Sequence, residues 1–516
     1  MGPYARGVPT TESTGRTRKQ LGAWYTPDDL VDLVVERTID QTFAIGGGCS
    51  TALPVRVLDP ACGDGRFLSA AARRLHALGR RATLTGVDVD ARAVAAADLP
   101  GAELITADAL SLNWGRRNFD VVVGNPPFLS QMSASTTRGG ASRHGGGPYA
   151  DAAAEFLALA IRLAEPDGGR VGLVLPQSIL ASRDAGPVRA QATASATMNW
   201  SWWSPRQMFE AQVLVCALGF RVGIAAPGGA VAPPTGSEPT WSHVVTAALG
   251  VPQLPSLATD GTVGDRARCS LNFRDEYYGL IPAVSDIGCG PPLVTSGLID
   301  PGRCRWGERP VRFAKQEFAA PRVDVARLDA RMRAWAGHKL VPKVLVANQT
   351  RIVEAVADPD GTWLPGVPVN SLVPTGDATV WELAAVLTSP VASAAAWYAA
   401  AGTGLSGRAI RLGPAALASL PWPAGDIGPA AQLLRDGDVV GCGRSIAAAF
   451  SCCDIVRRTT GGATGDAATH NTGDDPLFAW WLDSVNGAAV ARRGSSTAPS
   501  RASRRPSTTT PAPPTP

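Results

Sequence analysis

Between Leu21 and Ile224, short apolar runs alternate with stretches of helical character, and no other feature restricts the fold of this chain as much. Val55 to Leu58, Thr83 to Val87, Phe119 to Val123 and Val171 to Leu175 are of strand length, separated by segments such as Arg66 to Leu78 and Ala91 to Ala97. Strands joined through helices run parallel, and near-continuous apolar runs suit strands covered on both faces. The expectation is a doubly wound α/β domain over residues 21–224.

With 516 residues and 45% hydrophobic content, the chain can bury more than one core. Composition shifts to Pro, Gly, Ser and Thr over residues 225–260, expected as a linker or surface excursion. Residues 261–425 mix strand-like runs (Lys343 to Ala347, Arg351 to Val356) with an alanine-rich helix over Glu382 to Ala401, so a second, mixed α+β domain is expected. Residues 426–493 are expected to be helical. Residues 1–20, with Arg6, Arg16, Arg18 and Lys19, read as a flexible basic arm, and residues 494–516 as a disordered Ser/Thr/Pro/Arg tail. The apolar run Leu30 to Val35 is interrupted by Asp32, so no membrane segment or secretory leader is expected and the cytoplasm is the expected compartment. Nine cysteines without a Cys-x-x-Cys pair point to neither a disulfide framework nor a zinc site, and no metal is expected. A net charge of +4 permits nucleic-acid binding without announcing it.

Asp59-Pro60-Ala61-Cys62-Gly63-Asp64-Gly65 follows the first strand and opens a helix. Gly63 and Gly65 allow a sharp turn that brings backbone amides to a ligand at a positive helix end. Asp59, Ala61, Cys62, Gly63 and Gly65 are therefore assigned to a cofactor. Asp88 ends the next strand 23 positions after Gly65, where a carboxylate meets ribose hydroxyls in a doubly wound fold. Asp90 caps the following helix, and Asp108, after a third apolar run, is placed to accept from an adenine amino group.

Asn125-Pro126-Pro127-Phe128 leaves the apolar run Phe119 to Val123, at the sheet edge where such folds bind ligands. The Asn125 side-chain oxygen and the Pro126 carbonyl are two acceptors for the hydrogens of a planar amino group. Such a nitrogen is a poor nucleophile because its lone pair is delocalised, and two acceptors favour its pyramidal form. The prolines stiffen the turn and remove competing donors, while Phe128 offers a face for a base.

Together these residues resemble the gamma arrangement of N6-adenine DNA methyltransferases, found in restriction-modification and phage-defence systems. Gly22-Ala23-Trp24-Tyr25-Thr26-Pro27 precedes the glycine turn as that family's first cofactor motif does. The resemblance implies that Tyr25, Thr26 and Pro27 close over S-adenosylmethionine. It also implies a Rossmann-like methyltransferase domain followed by a target-recognition domain over residues 261–425, and double-stranded DNA with a flipped adenine as substrate. A separate restriction endonuclease or defence-system subunits are implied as partners, and no membrane. Ala61-Cys62-Gly63-Asp64-Gly65 departs from the commonest Phe-x-Gly-x-Gly form. Asn348, Gln349, Arg351, Arg408 and Arg411 have side chains suited to base or phosphate contact. The Asn-Pro-Pro-aromatic turn also serves enzymes acting on guanine N2 of ribosomal RNA, cytosine N4 or protein glutamine, and a catalytically idle DNA-binding subunit is a further alternative. The turn defines the chemistry rather than the substrate.

Overall fold

The computed structural model describes residues 26–44, 53–128, 144–147, 150–208, 213–223, 240–451 and 475–494, with side chains of the last segment described to residue 486. Tyr25, the basic arm at 1–20 and all but the first residue of the tail at 494–516 lie outside the described residues.

The first half is a seven-stranded sheet of β1 (Val55–Asp59), β2 (Ala82–Asp88), β3 (Glu103–Thr106), β4 (Val121–Gly124), β5 (Arg170–Pro176), β6 (Ala196–Trp203) and β7 (Val215–Val222), in the order β3-β2-β1-β4-β5-β7-β6. The first five strands pair in parallel, and β7 runs antiparallel between β5 and β6. Every residue of β5 is buried, as a strand covered on both faces requires. Helices α1 (Asp28–Thr38) and α2 (Arg66–Ala77) pack together on one side, and α4 (Ala152–Leu163) packs with α5 (Gly186–Ser195) on the other; the short α3 (Ala91–Ala96) follows β2. The α2 helix stops where Gly79, at φ +74°, takes a left-handed conformation and Arg80 N–H donates to Leu75 O at 2.8 Å. Strand order reverses between β1 and β4, and the crevice outside those strand ends is where a doubly wound sheet binds its ligand.

Within the stretch expected as a linker, His243–Ala248 is helical, and Trp241, Val244 and Val245 are buried in the same core as the sheet. Pro/Gly-rich composition nearby hid this short apolar helix. The alanine-rich segment, expected as one helix, is two: Val380–Leu387 and Pro390–Ala400, bent by 65°. Thr388 ends the first, Ser389 caps the second by accepting from Ala392 N–H at 3.1 Å, and Pro390 occupies the first helical turn, where its missing donor costs nothing. The strand expected over Arg351 to Val356 lies instead at Ala355–Asp358, because the chain bends at Arg351 and Ile352. Among the described residues, no single helix is long and apolar enough to cross a membrane.

Four antiparallel strands, in the order Ala355–Asp358, Lys343–Ala347, Val369–Pro374 and Ala267–Leu271, build the second half. Successive side chains of a strand face opposite ways. Val344, Val346, Ala355 and Leu372 accordingly join the large core of the first half, whereas Leu345, Ala347, Val356 and Val369 join a smaller core built from residues 280–369. The sheet is a wall shared by two cores. Helices Gly428–Arg435 and Val439–Phe450 complete the larger one, with Leu434 and Ile446 buried in it.

The Lys343 ammonium pairs with the Asp358 carboxylate in this wall, their side chains 0% and 2% exposed. The carboxylate also accepts from Thr362 N–H and Trp363 N–H, each at 3.0 Å. Breaking a buried pair from one side leaves an uncompensated charge, so Lys343→Met should lower stability by about 3–5 kcal/mol in chemical denaturation. An unchanged midpoint would show that the pair contributes nothing net.

Candidate active site at the carboxyl edge of the sheet

The glycine turn is held by β2. Asp88 accepts from Gly63 N–H at 2.8 Å with one oxygen and from Asp90 N–H at 2.9 Å with the other. Cys62 N–H donates to Val87 O at 2.9 Å. Gly63 (φ +52°) and Gly65 (φ +81°) both occupy the left-handed region. A Cβ at Gly63 would meet nothing within 4 Å, so the turn leaves open space on that side, whereas one at Gly65 would fall 2.6 Å from Leu99. The Cys62 thiol is 3% exposed and burial pushes its pKa upward, so it fills space and does not ionise. Asp90 accepts from Arg92 N–H at 2.9 Å, the helix cap expected of it.

Asp59, at the end of β1, is 1% exposed. One of its oxygens accepts from Ala61 N–H at 3.0 Å, and the other, Oδ2, is buried without a partner. Burial, with the negative charges of Asp88 and Asp64 adding to it, pushes this carboxyl up to about 8. Close by, a Cβ on Gly124 would sit 2.5 Å from Asp59 Oδ1, so only glycine lets the end of β4 pass the carboxylate.

Asn125 follows directly. Its amide Nδ2 donates to Thr26 Oγ1 at 2.9 Å, while its Oδ1 is buried and unpartnered. Thr26 is 3% exposed and its carbonyl accepts from Arg66 Nη1 at 2.6 Å. Arg66 also binds Asp64 through Nε at 3.0 Å and Nη2 at 2.8 Å, an arrangement that holds the Asp64 carboxyl below its usual range. Arg66 thus ties the glycine turn to the Thr26-Pro27 element, and Thr26 in turn fixes which face of the Asn125 amide points outward. Thr26→Val removes that acceptor while keeping its shape. Loss of one such hydrogen bond should reduce turnover roughly tenfold with a smaller change in cofactor KM; unaltered turnover would mean that the amide is oriented by something else.

The remaining candidates are less enclosed. Asp108 is exposed, accepting from Leu110 N–H at 3.0 Å with one oxygen and from the Ser111 hydroxyl with the other. Pro126 is buried and Pro127 half-buried. Phe128, expected to present an open face, is 8% exposed and belongs to the core. Ala61 and Pro27 are half-buried beside the turn. Sequence reasoning missed Arg66 and Gly124, whose roles depend on partners 40 and 65 positions away respectively.

Three carboxylates (Asp59, Asp64, Asp88), an orphaned buried carboxylate oxygen and a glycine turn with open space fit a ligand with a cationic end and a ribose. The sheet order with reversed β7, and the turn at its first strand, define a Rossmann-like methyltransferase fold. Residues 11–217 match the profile of the N-6 DNA Methylase family. The chain is 28% identical over 172 residues to the type II methyltransferase M.CvrRI of Paramecium bursaria Chlorella virus XZ-6E, covering 33% of this chain and 39% of that protein. It is 39% identical over 126 residues to the type II methyltransferase M.TthHB8I of Thermus thermophilus, covering 24% of each. The chain therefore spans well under half the length of these relatives. Among solved structures, the type IIL restriction-modification enzyme MmeI in complex with DNA aligns with 94% of this chain and 75% of its own, at 12% identity and a TM-score of 0.46.

Proposed function

We propose that this chain is a site-specific DNA methyltransferase of the gamma arrangement, using S-adenosylmethionine to methylate N6 of adenine in a restriction-modification or phage-defence setting. The observation that carries the proposal is Asn125 Oδ1, a buried acceptor without a partner on a stiff Pro-Pro turn at the reversal of strand order. A buried acceptor left unsatisfied costs stability, and a planar amino group is the donor that would satisfy it.

Asp59, Ala61, Cys62, Gly63 and Gly65 would hold the methionine part of the cofactor, Asp88 the ribose and Asp108 the adenine, with Tyr25, Thr26 and Pro27 closing the site. The cofactor supplies an electrophilic methyl group on a sulfonium. The chain orients the acceptor nitrogen: Asn125 Oδ1 and the Pro126 carbonyl each accept one amino hydrogen, which favours a pyramidal nitrogen. Positioning two reactants in this way converts a bimolecular encounter into a unimolecular step. An adenine inside a duplex cannot reach this turn, so the base is flipped out, and the domain over residues 261–425 is assigned to gripping the site. Phe128, at the end of the turn, is anchored in the core.

Long-read sequencing of cellular DNA with and without the gene tests the substrate. Methylated adenine at one recurring site is expected; modified cytosine, or methyl groups appearing in ribosomal RNA or protein instead, would overturn it. Asp88→Ala should weaken S-adenosylmethionine binding at least about tenfold by calorimetry, since a charged hydrogen-bond acceptor contributes about 1.5–3 kcal/mol. An unchanged affinity would place the ribose elsewhere.

A further inference from the structure

The five polar side chains singled out in the second half do not share one fate. Asn348 is committed internally, its Nδ2 donating to Leu412 O at 2.6 Å with the residue 2% exposed. Arg351 and Arg408 are both exposed, and their guanidinium groups have no hydrogen bond or ion pair among the described residues. Other described arginines are matched to carboxylates, as Arg56 is to Asp120 and Glu165, and Arg303 to Glu308.

These two guanidinium groups are 57 positions apart in the chain, yet they line one pocket of about 270 Å³. The ladder between Gln349–Thr350 and Ile410–Arg411 explains the meeting. Gln349 pairs with Arg411 and Thr350 with Ile410, so Arg351, which follows Thr350, and Arg408, two residues before Ile410, both lie beyond the same end of the ladder. Trp397 forms part of the wall and donates through Nε1 to Arg351 O at 2.7 Å, fixing the backbone that carries that arginine. Trp480 and Ser484 line another part, and among the described residues no carboxylate lines the pocket.

The pocket also has a defined relation to the active site. A Cβ on Gly402 would lie 2.5 Å from Gln177 O, and one on Gly407 would lie 2.5 Å from Pro205 Cα. Gln177 directly follows β5, and Pro205 closely follows β6. Both strands run parallel to β4, so the loop from 402 to 407 lies across the edge from which Asn125 projects. Arg408 emerges from the end of that loop.

We infer that Arg351 and Arg408 form a phosphate-binding site for the backbone of the duplex that delivers its base to Asn125. The inference rests on the DNA reading of the catalytic site and adds where the duplex is held. Two arginines lining one pocket, a serine beside them and, among the described residues, no carboxylate in the lining suit a phosphodiester oxygen, and a contact of this kind fixes register without reading sequence.

The test is fluorescence anisotropy of labelled duplexes with the full chain over a series of KCl concentrations. Arg351→Gln and Arg408→Gln should each make the dependence of log affinity on log salt shallower by about one, and the double variant by about two, equally on unrelated sequences. Arg351→Lys and Arg408→Lys should keep the original slope, which separates lost charge from lost fold. Gln variants that keep the unaltered slope would overturn the site while leaving the DNA reading intact. An unaltered chain that fails to bind any duplex would overturn both.

Discussion

Asn125→Ala is expected to slow methyl transfer by about a hundred- to a thousandfold, the scale at which removing one preorganised hydrogen-bond partner of a reacting group is felt. Affinity for S-adenosylmethionine should stay nearly unchanged, because the residues assigned to the cofactor lie at the end of β1 and in its glycine turn, at the end of β2, after β3 and on the Thr26-Pro27 element. The reason for separating the two effects is geometric. Thr26 holds the Asn125 amide nitrogen at 2.9 Å, so the amide contributes only its oxygen to the substrate side. Alanine removes that oxygen and leaves the Pro-Pro turn in place. Single-turnover transfer to duplex DNA, measured beside calorimetric cofactor binding, distinguishes the outcomes. Near-normal transfer would remove Asn125 from the chemistry, and loss of both would reassign it to the fold of the pocket.

The second large effect concerns Asp59 and pH. Its carboxyl is pushed up to about 8 by burial first and by Asp88 and Asp64 after it. An exposed aspartate titrates at about 3.9, so between these values the folded chain holds a proton that the unfolded chain has released. The stability from this group is complete below about pH 4 and is lost as pH rises through about 8. A cationic ligand end beside Oδ2 favours the ionised form, so cofactor binding near neutral pH should release close to one proton. Affinity should climb as much as about tenfold per pH unit up to about pH 8, then level off. Calorimetry in two buffers of different ionisation enthalpy reads the proton directly, and Asp59→Asn should abolish the difference. Binding heats independent of buffer would mean that the cation lies away from Asp59.

What was legible in the sequence was local. β1, the glycine turn and α2 follow one another within a few residues, and the strand, turn and helix signals agree. Asp88 and Asn125 were singled out because strand ends at the carboxyl edge are where such folds place chemistry. The two helices at Ser389-Pro390 carried their cap and proline in plain view, but continuous alanine composition masked the break. Contacts across long separations could not be read in this way. Thr26 and Asn125 are 99 positions apart, and nothing in either neighbourhood announces that one orients the other. Gly124 looks like an ordinary strand end until the Asp59 carboxylate is seen beside it. Phe128 was misjudged for a related reason, since an aromatic after a turn carries no mark of which face is covered. The strand Lys343–Ala347 is apolar on both faces, which hides its alternation and hence the fact that it divides two cores.

That dividing sheet bears on how such a chain can diversify. Wholesale exchange of everything after residue 260 would strip the large core of Val344, Val346, Ala355 and Leu372, together with the helices from 380 onward. Exchange confined to the cluster between residues 280 and 340 keeps both faces of the wall in the parent sequence. Insertions hung on one side of the retained sheet therefore disturb the fold least, whereas each residue of the strands answers to one of two neighbouring cores.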